Sequence, residues 1–198
     1  MMFMADQPPE SVLSLPVSGP IQAGRASNAS SLAEEVVTLF DQLRDRLLRY
    51  VISFGLQVQD GEDIVQEVFL SLYRHLQHGQ SQHNLRAWIF RAAHNMALKR
   101  RVQLRVAGQH VGGDERAVLA DLLPDPNPSP EDQMASSQRR DRMLAVVGAL
   151  PEQDRQCLIL RAEGLRYREI IEVLDISLGA VALSLERSLA RLARAVQW

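Results

Sequence analysis

The sequence predicts an all-α chain built as two small helical domains joined by a flexible acidic linker. Three observations predict it. Apolar residues recur at spacings of three and four through most of the 198 residues, and no alternating strand pattern appears. A stretch rich in Pro, Gly and acid, residues 106–133, separates two such regions. Near the C-terminus, Asp175-Ile176-Ser177 connects a short amphipathic segment to a longer one, the shape that lays a helix in the DNA major groove.

Residues 1–33 carry Pro8-Pro9, Pro16 and Gly19-Pro20 and then a Ser/Ala/Asn tract, with too little apolar surface to repay ordering. They are expected to be a disordered tail. From Leu32 the texture changes. Val36, Val37, Phe40, Leu43, Leu47 and Tyr50 mark the core face of a first helix. Asp60-Gly61 reads as a break. A second helix is expected over Glu62–Leu76, with Val65, Val68, Phe69, Leu72 and Leu76 inward, and His78-Gly79-Gln80 closing it. A third is expected over Asn84–Gln103. These make one domain over 34–105.

In the linker, Gly112-Gly113 and the alternating prolines from Pro124 to Pro130 cannot continue a helix. Asp114, Glu115, Asp121, Asp125, Glu131 and Asp132 face a single arginine. Ser129-Pro130-Glu131-Asp132 is a helix start: a capping hydroxyl, proline in the first turn, acids at the positive end of the dipole. The second domain, 134–198, is expected to hold helices to about Ala149, over Pro151–Glu163, over Arg166–Leu174 and over Leu178–Val196. Gly164 is placed as a stop and Ser177 as an N-cap.

Composition narrows function. The net charge of -2 argues against a general polycation but leaves local basic patches open. The lone Cys157 excludes an internal disulfide and, beside Leu158, Ile159 and Leu160, reads as a small buried hydrophobe. No apolar run reaches membrane-spanning length, and the N-terminus has no signal-peptide pattern. A soluble, cytoplasmic protein without membrane insertion is expected. His75, His78, His83, His94 and His110 form no metal spacing, and no phosphate loop or nucleophile elbow is present. The chain is not expected to be an enzyme or to need a cofactor or metal.

What remains is binding. Opposite the core face of the second helix, Asp63, Gln66, Glu67, Leu70 and Arg74 fall on one stripe. A charged stripe alone reads as a solvated helix face; Leu70 in the middle of the acids shifts that reading modestly toward a protein partner, a basic helix. Within Leu85–Arg105 stand Arg86, Arg91, Lys99, Arg100, Arg101 and Arg105 with no acid, which suits phosphate. Trp88 and Phe90 can stack on unpaired bases, although Trp88 with Leu85 and Ile89 reads better as core. On the last helix Leu178, Val181, Leu185, Leu189 and Leu192 are the expected core face. Ala180, Leu183, Ser184, Arg187, Arg191 and Arg194 are the expected free stripe. Ser184 would hydrogen-bond a base, Ala180 and Leu183 would pack on thymine methyls, and Arg187, Arg191 and Arg194 would hold phosphates or guanine edges. Tyr167, Arg168 and Ser177 lie where a phosphate can seat.

Two blocks match a known pattern. Residues 62–76 (EDIVQEVFLSLYRHL) and 85–98 (LRAWIFRAAHNMAL) resemble region 2 of bacterial sigma factors of the extracytoplasmic-function (ECF) subgroup. Residues 150–161 (LPEQDRQCLILR), 164–170 (GLRYREI) and 176–181 (ISLGAV) resemble their region 4. The resemblance implies a region 2-like bundle and a region 4-like helix-turn-helix in a dissociable RNA polymerase subunit. In that family region 2 binds the polymerase clamp helices and melts the minus-ten element. Region 4 docks on the flap and reads the minus-thirty-five element. Core RNA polymerase and promoter DNA are the implied partners, with an anti-sigma factor as a further candidate. The resemblance puts Asp63, Gln66 and Glu67 on the clamp-binding helix, the 77–84 connection at base capture, and Lys99–Arg105 beside promoter phosphates.

The departures concentrate at the DNA-facing end. The family pattern has Asp at Lys99, a small residue at Ile171, Gly at Asp175, Thr at Ala180, Lys at Ala182 and Arg at Ser184. A methyl-rich upstream element, or weak upstream reading, is therefore expected. The alternative function is a sigma-like interaction protein that binds polymerase or a regulator without reading DNA. A polymerase-independent repressor would need a dimer, and no dimerisation heptad is present.

Overall fold

The structure, a computed structural model, describes residues 21–80, 83–108 and 133–196, with side-chain surroundings given for 31–80, 83–108 and 138–195. The acidic linker and its Ser129-Pro130 helix start lie outside the described residues. Among those described, every regular element is a helix: α1 Ile21–Ile52, α2 Val58–Gln77, α3 Leu85–Val106, α4 Gln133–Gly148, α5 Glu152–Ala162, α6 Tyr167–Leu174 and α7 Leu178–Val196. None of them is long and apolar enough to cross a membrane.

α1, α2 and α3 pack on one another as a first module. Leu43, Leu47 and Tyr50 of α1 meet Val65, Val68, Phe69, Leu72 and Leu76 of α2, all buried. α1 begins at Ile21, so part of the expected tail is helical. No proline follows Pro20 until Pro124, and extending a formed helix through Ala- and Gln-containing sequence costs little. Val37 departs from its expected core position and is 58% exposed.

Asp60-Gly61 is not a break. α2 starts at Val58, and Gly61 is buried at the crossing with α1, where a Cβ would lie 3.0 Å from Leu48 Cδ1 and 3.2 Å from Ile52 Cγ1. The glycine lets two backbones approach. Asn84 precedes α3 in the left-handed conformation, φ 55°, which asparagine tolerates.

The second module is α4 to α7. α5 ends in a Schellman turn: Gly164 (φ 80°) donates its N–H to Arg161 O at 2.9 Å, and Leu165 donates to Leu160 O at 3.0 Å. Leu160 and Leu165 are both buried beneath it. The Glu169 carboxylate accepts the Arg166 N–H at 2.6 Å, so the first turn of α6 is closed by an acid at the positive dipole end. Asp175 takes the left-handed turn, φ 54°, in a position where its side chain is tolerated. Ser177 Oγ accepts the Ala180 N–H at 3.2 Å and caps α7.

The modules do not stand apart. α3 lies against α6, and one hydrophobic cluster runs from α1 through Cys157 and Leu160 to Val181 and Leu185. Cys157 is fully buried, and burial pushes its thiol up to about 11, so it is inert packing.

Candidate polymerase and nucleic-acid interfaces

Asp63, Gln66, Glu67, Leu70 and Arg74 share the exposed face of α2. Glu67 and Arg74 are linked at 3.4 Å with both side chains more than half exposed, a weak pair that a partner can break. Beside this stripe α1 and α2 form a groove of about 440 Å³ lined by Val36, Val37, Phe40, Phe69, Leu70 and Tyr73. Leu70 is 52% exposed at its edge. The face therefore combines an acidic row with an apolar trough, the complement of a basic amphipathic helix. Val37 was missed as a site residue because its spacing fits a core stripe as well as a groove wall.

On α3, Arg91, Lys99, Arg100 and Arg105 are exposed. Arg100 donates to Asp60 Oδ1 from Nε at 3.0 Å and Nη2 at 2.6 Å. Lys99 lines a cleft of about 310 Å³ with Asp60, Asp63 and Glu67 of α2. Arg101 differs: its side chain is only 12% exposed, pairs with Glu152 of α5 and lies 5.8 Å from the Phe54 ring centre. Phe90 cannot stack on bases, because it is fully buried under Tyr50. Trp88 is half-buried against His75, with ring centres 4.8 Å apart. His94 is buried and packs edge-on to Phe54. Its Nδ1 lies 2.8 Å from Tyr50 Oη, and burial both raises the tyrosine's pKa and lowers that of the imidazole. Tyr50 is therefore the donor and Nδ1 the acceptor of a neutral ring.

α7 is turned relative to expectation. Its buried face is Val181, Ser184, Leu185 and Ser188, while Leu178 and Leu189 are 56% and 57% exposed. Ser184 is not a base-reading group: it is fully buried, and its Oγ accepts from Gln153 Nε2 at 3.3 Å. Ser188 Oγ donates to Ser184 O at 2.7 Å. Two small serines let α5 approach α7 more closely than leucines would. Arg187 is committed as well. Its Nη2 lies 2.6 Å from Asp154 Oδ1 and its Nε 3.1 Å from Oδ2. That bidentate grip, more than the opposing burial, holds the Asp154 carboxyl below the usual range. Exposed on the outer face are Leu178, Ala182, Leu183, Glu186, Leu189 and Arg191, with Ala180 half-buried. Tyr167 and Arg168 are exposed at the start of α6, and Ser177 at the start of α7. The helix thus exposes an apolar surface flanked by cations at Arg168 and Arg191.

Among the described residues no group of His, Cys, Asp and Glu could hold a metal ion. The two modules define a helical protein with one exposed acidic-apolar face and one helix-turn-helix. The Sigma-70 region 2 family model matches residues 39–105 and the Sigma-70 region 4 model matches 140–192. RNA polymerase sigma factor CnrH of Cupriavidus metallidurans is 30% identical over 145 residues, 71% of this chain and 75% of CnrH. The ECF sigma-E factor of Escherichia coli is 28% identical over 62% of this chain and 66% of its own length. The ECF sigma factor SigE of Mycolicibacterium smegmatis is 28% identical over 75% of this chain and 56% of its own. A solved structure of CnrH with the cytosolic domain of CnrY superposes with a TM-score of 0.58 at 21% identity, covering 87% of this chain and 94% of CnrH. The sigma factor RpoE with the anti-sigma factor NepR from Bartonella quintana gives 0.51 at 20%, covering 81% and 97%. This chain belongs to the RNA polymerase sigma factors, in the extracytoplasmic-function subgroup.

Proposed function

We propose that this protein binds core RNA polymerase and directs it to a small set of promoters. The polymerase carries the chemistry and the sigma subunit supplies position. The observation that supports this most is the presence of both sigma regions, in order, on one chain. In this reading Asp63, Gln66, Glu67, Leu70 and Arg74, with the Val37–Tyr73 groove, receive the clamp helices. Arg91, Lys99, Arg100, Arg101 and Arg105 hold phosphates near the minus-ten element. Tyr167, Arg168, Ser177 and Arg191 anchor upstream phosphates, while Leu178, Ala180, Ala182 and Leu183 pack on thymine methyls. Glu186, which can accept from cytosine N4, is the one acidic group on that face.

Run-off transcription with purified core polymerase tests the reading. A promoter-specific transcript that depends on this protein is expected. The absence of any such transcript across the source genome's promoter fragments would refute it. A second reading, a polymerase-binding protein that does not read DNA, is favoured by one observation: no cation lies on the exposed face of the first turns of α7. A footprint confined to the downstream element would support it. The solved relatives bound to CnrY and NepR also motivate an anti-sigma partner for this chain, and its place of action is the cytoplasm, where polymerase works.

A further inference from the structure

Two arginines of the first module converge on one carboxylate of the second, and a third takes the backbone carbonyl of the same residue. Arg49 grips Glu163 with Nε on Oε1 at 2.8 Å and Nη2 on Oε2 at 3.0 Å. Arg46 Nε approaches Oε2 at 3.8 Å. Arg86 Nη2 donates to the Glu163 backbone carbonyl at 2.7 Å. Glu163 is 1% exposed and sits at the negative end of the α5 dipole. Gly164 follows it, and a Cβ there would lie 3.3 Å from Arg86 Nη2, so the missing side chain leaves room for the guanidinium. Three positive charges from α1 and α3 thus surround one negative charge and one carbonyl.

The pattern repeats along the same seam. Glu152 of α5 engages Arg101, and Glu172 of α6 accepts from Asn84 Nδ2 at 2.7 Å. Three carboxylates of the second module each occupy a donor of the first. One of those donors is Arg101, a candidate promoter contact, and Asn84 closes the connection that the family resemblance assigns to base capture.

We propose that Arg46, Arg49 and Arg86 form a phosphate-binding cluster for promoter DNA, and that Glu163 fills it in place of a phosphate while the modules are closed. Two oxygens of a phosphodiester match the two that Arg49 already grips. Separation of the modules takes Glu163 away from the guanidinium groups of Arg46, Arg49 and Arg86, and Glu152 away from Arg101. Closure and DNA binding therefore compete for the same arginines. The inference rests on the DNA-binding reading of the first module.

The test uses the full chain. Glu163→Gln keeps the side-chain shape and removes the charge. Binding to a promoter-like fork duplex is measured against salt, with module separation followed by a fluorophore pair, one on each module. Glu163→Gln should bind DNA roughly tenfold more tightly at low salt than the parent, with a steeper salt dependence. In that background, changing Arg46, Arg49 and Arg86 to Gln should remove the gain and lower the log–log salt slope by about 1 for each phosphate no longer held. Should Glu163→Gln stay closed, Glu163→Arg, which adds a fourth guanidinium to the cluster, must open the chain and show the same gain. Opening without tighter DNA binding overturns the proposal, as does a gain that survives removal of the three arginines. A freed cluster that binds polyglutamate but not DNA also overturns it and identifies an acidic protein as the ligand. Run-off transcription by the parent separates the two failures: if it transcribes and the variants gain nothing, only this inference falls.

Discussion

α3 and α7 both carry arginines along an outward face, and they use them differently. α3 has no acid of its own, so its cations meet acids from other elements: Arg100 meets Asp60 of α2 and Arg101 meets Glu152 of α5. Of these, Asp60 belongs to the same module as Arg100, whereas Glu152 belongs to the other module. α7 pairs Arg187 with Asp154, whose side chain is 2% exposed and fixed inside the same module. Its exposed outer face is left to Leu178, Ala182 and Leu183. Counting cations on a helix therefore says little about phosphate binding. What differs is whether the paired acid stands in the same module or across the seam.

Four measurements challenge this contrast. The largest effect is expected from Asp63→Arg combined with Glu67→Arg. Both positions are exposed, so helicity and the urea midpoint should hold while co-purification with core polymerase is lost. Retained co-purification would remove the α2 face from the polymerase interface.

Leu183→Ala probes the apolar face of α7. It should weaken upstream binding by about 1–2 kcal/mol, the transfer value of the deleted carbons. Replacing thymine by uracil in the upstream element, which deletes the methyl, should weaken the parent and leave Leu183→Ala unaffected. Equal uracil sensitivity in both proteins would show that Leu183 touches no methyl.

Arg187→Ala tests the opposite assignment, a structural strut. The urea midpoint should fall at neutral pH. Asp154 has its native pKa depressed, so the pair's stabilisation is complete above the ordinary aspartate value of about 4 and drains as pH falls through the lower native value. The difference between parent and variant should therefore shrink on acidification. A constant difference down to low pH would mean that the ion pair is not its source.

The smallest effect concerns His94. Burial lowers its pKa, so the unfolded state binds the proton more readily than the native state below about pH 6.5. Stability of the parent should decline as pH drops below that value, and His94→Phe should flatten the decline. Identical pH profiles would show that His94 does not titrate during unfolding.

The phase of α2 was legible because apolar residues occupy one stripe and charged ones the other. Val65, Val68, Phe69, Leu72 and Leu76 are all buried, and the acidic stripe opposite is exposed. The phase of α7 was not. Leu178 and Leu189 extend the true core positions Val181 and Leu185 into what looks like one apolar face, yet both are exposed, and the contact also uses Ser184 and Ser188 because α5 comes close. Serine at an interior position carries no periodic signal. Gly61 misled for a related reason. A glycine after an aspartate looks like a turn until a second helix is found crossing it. Arg46, Arg49 and Arg86 were invisible as a group, since Arg86 stands on a different helix from the other two and Glu163 lies far beyond all three.

The helical class, the order of the two regions, the capped turn at Ser177 and the stop at Gly164 were written in the chain. They follow from periodicity and from local backbone chemistry, which neighbouring residues settle among themselves. Packing in three dimensions was needed to choose which face of α7 is free, to engage Phe90, Ser184 and Arg187 internally, and to seat Glu163 among three arginines. Those outcomes depend on which surfaces meet, and long-range packing and charge pairing leave no trace in the spacing of residues along the chain.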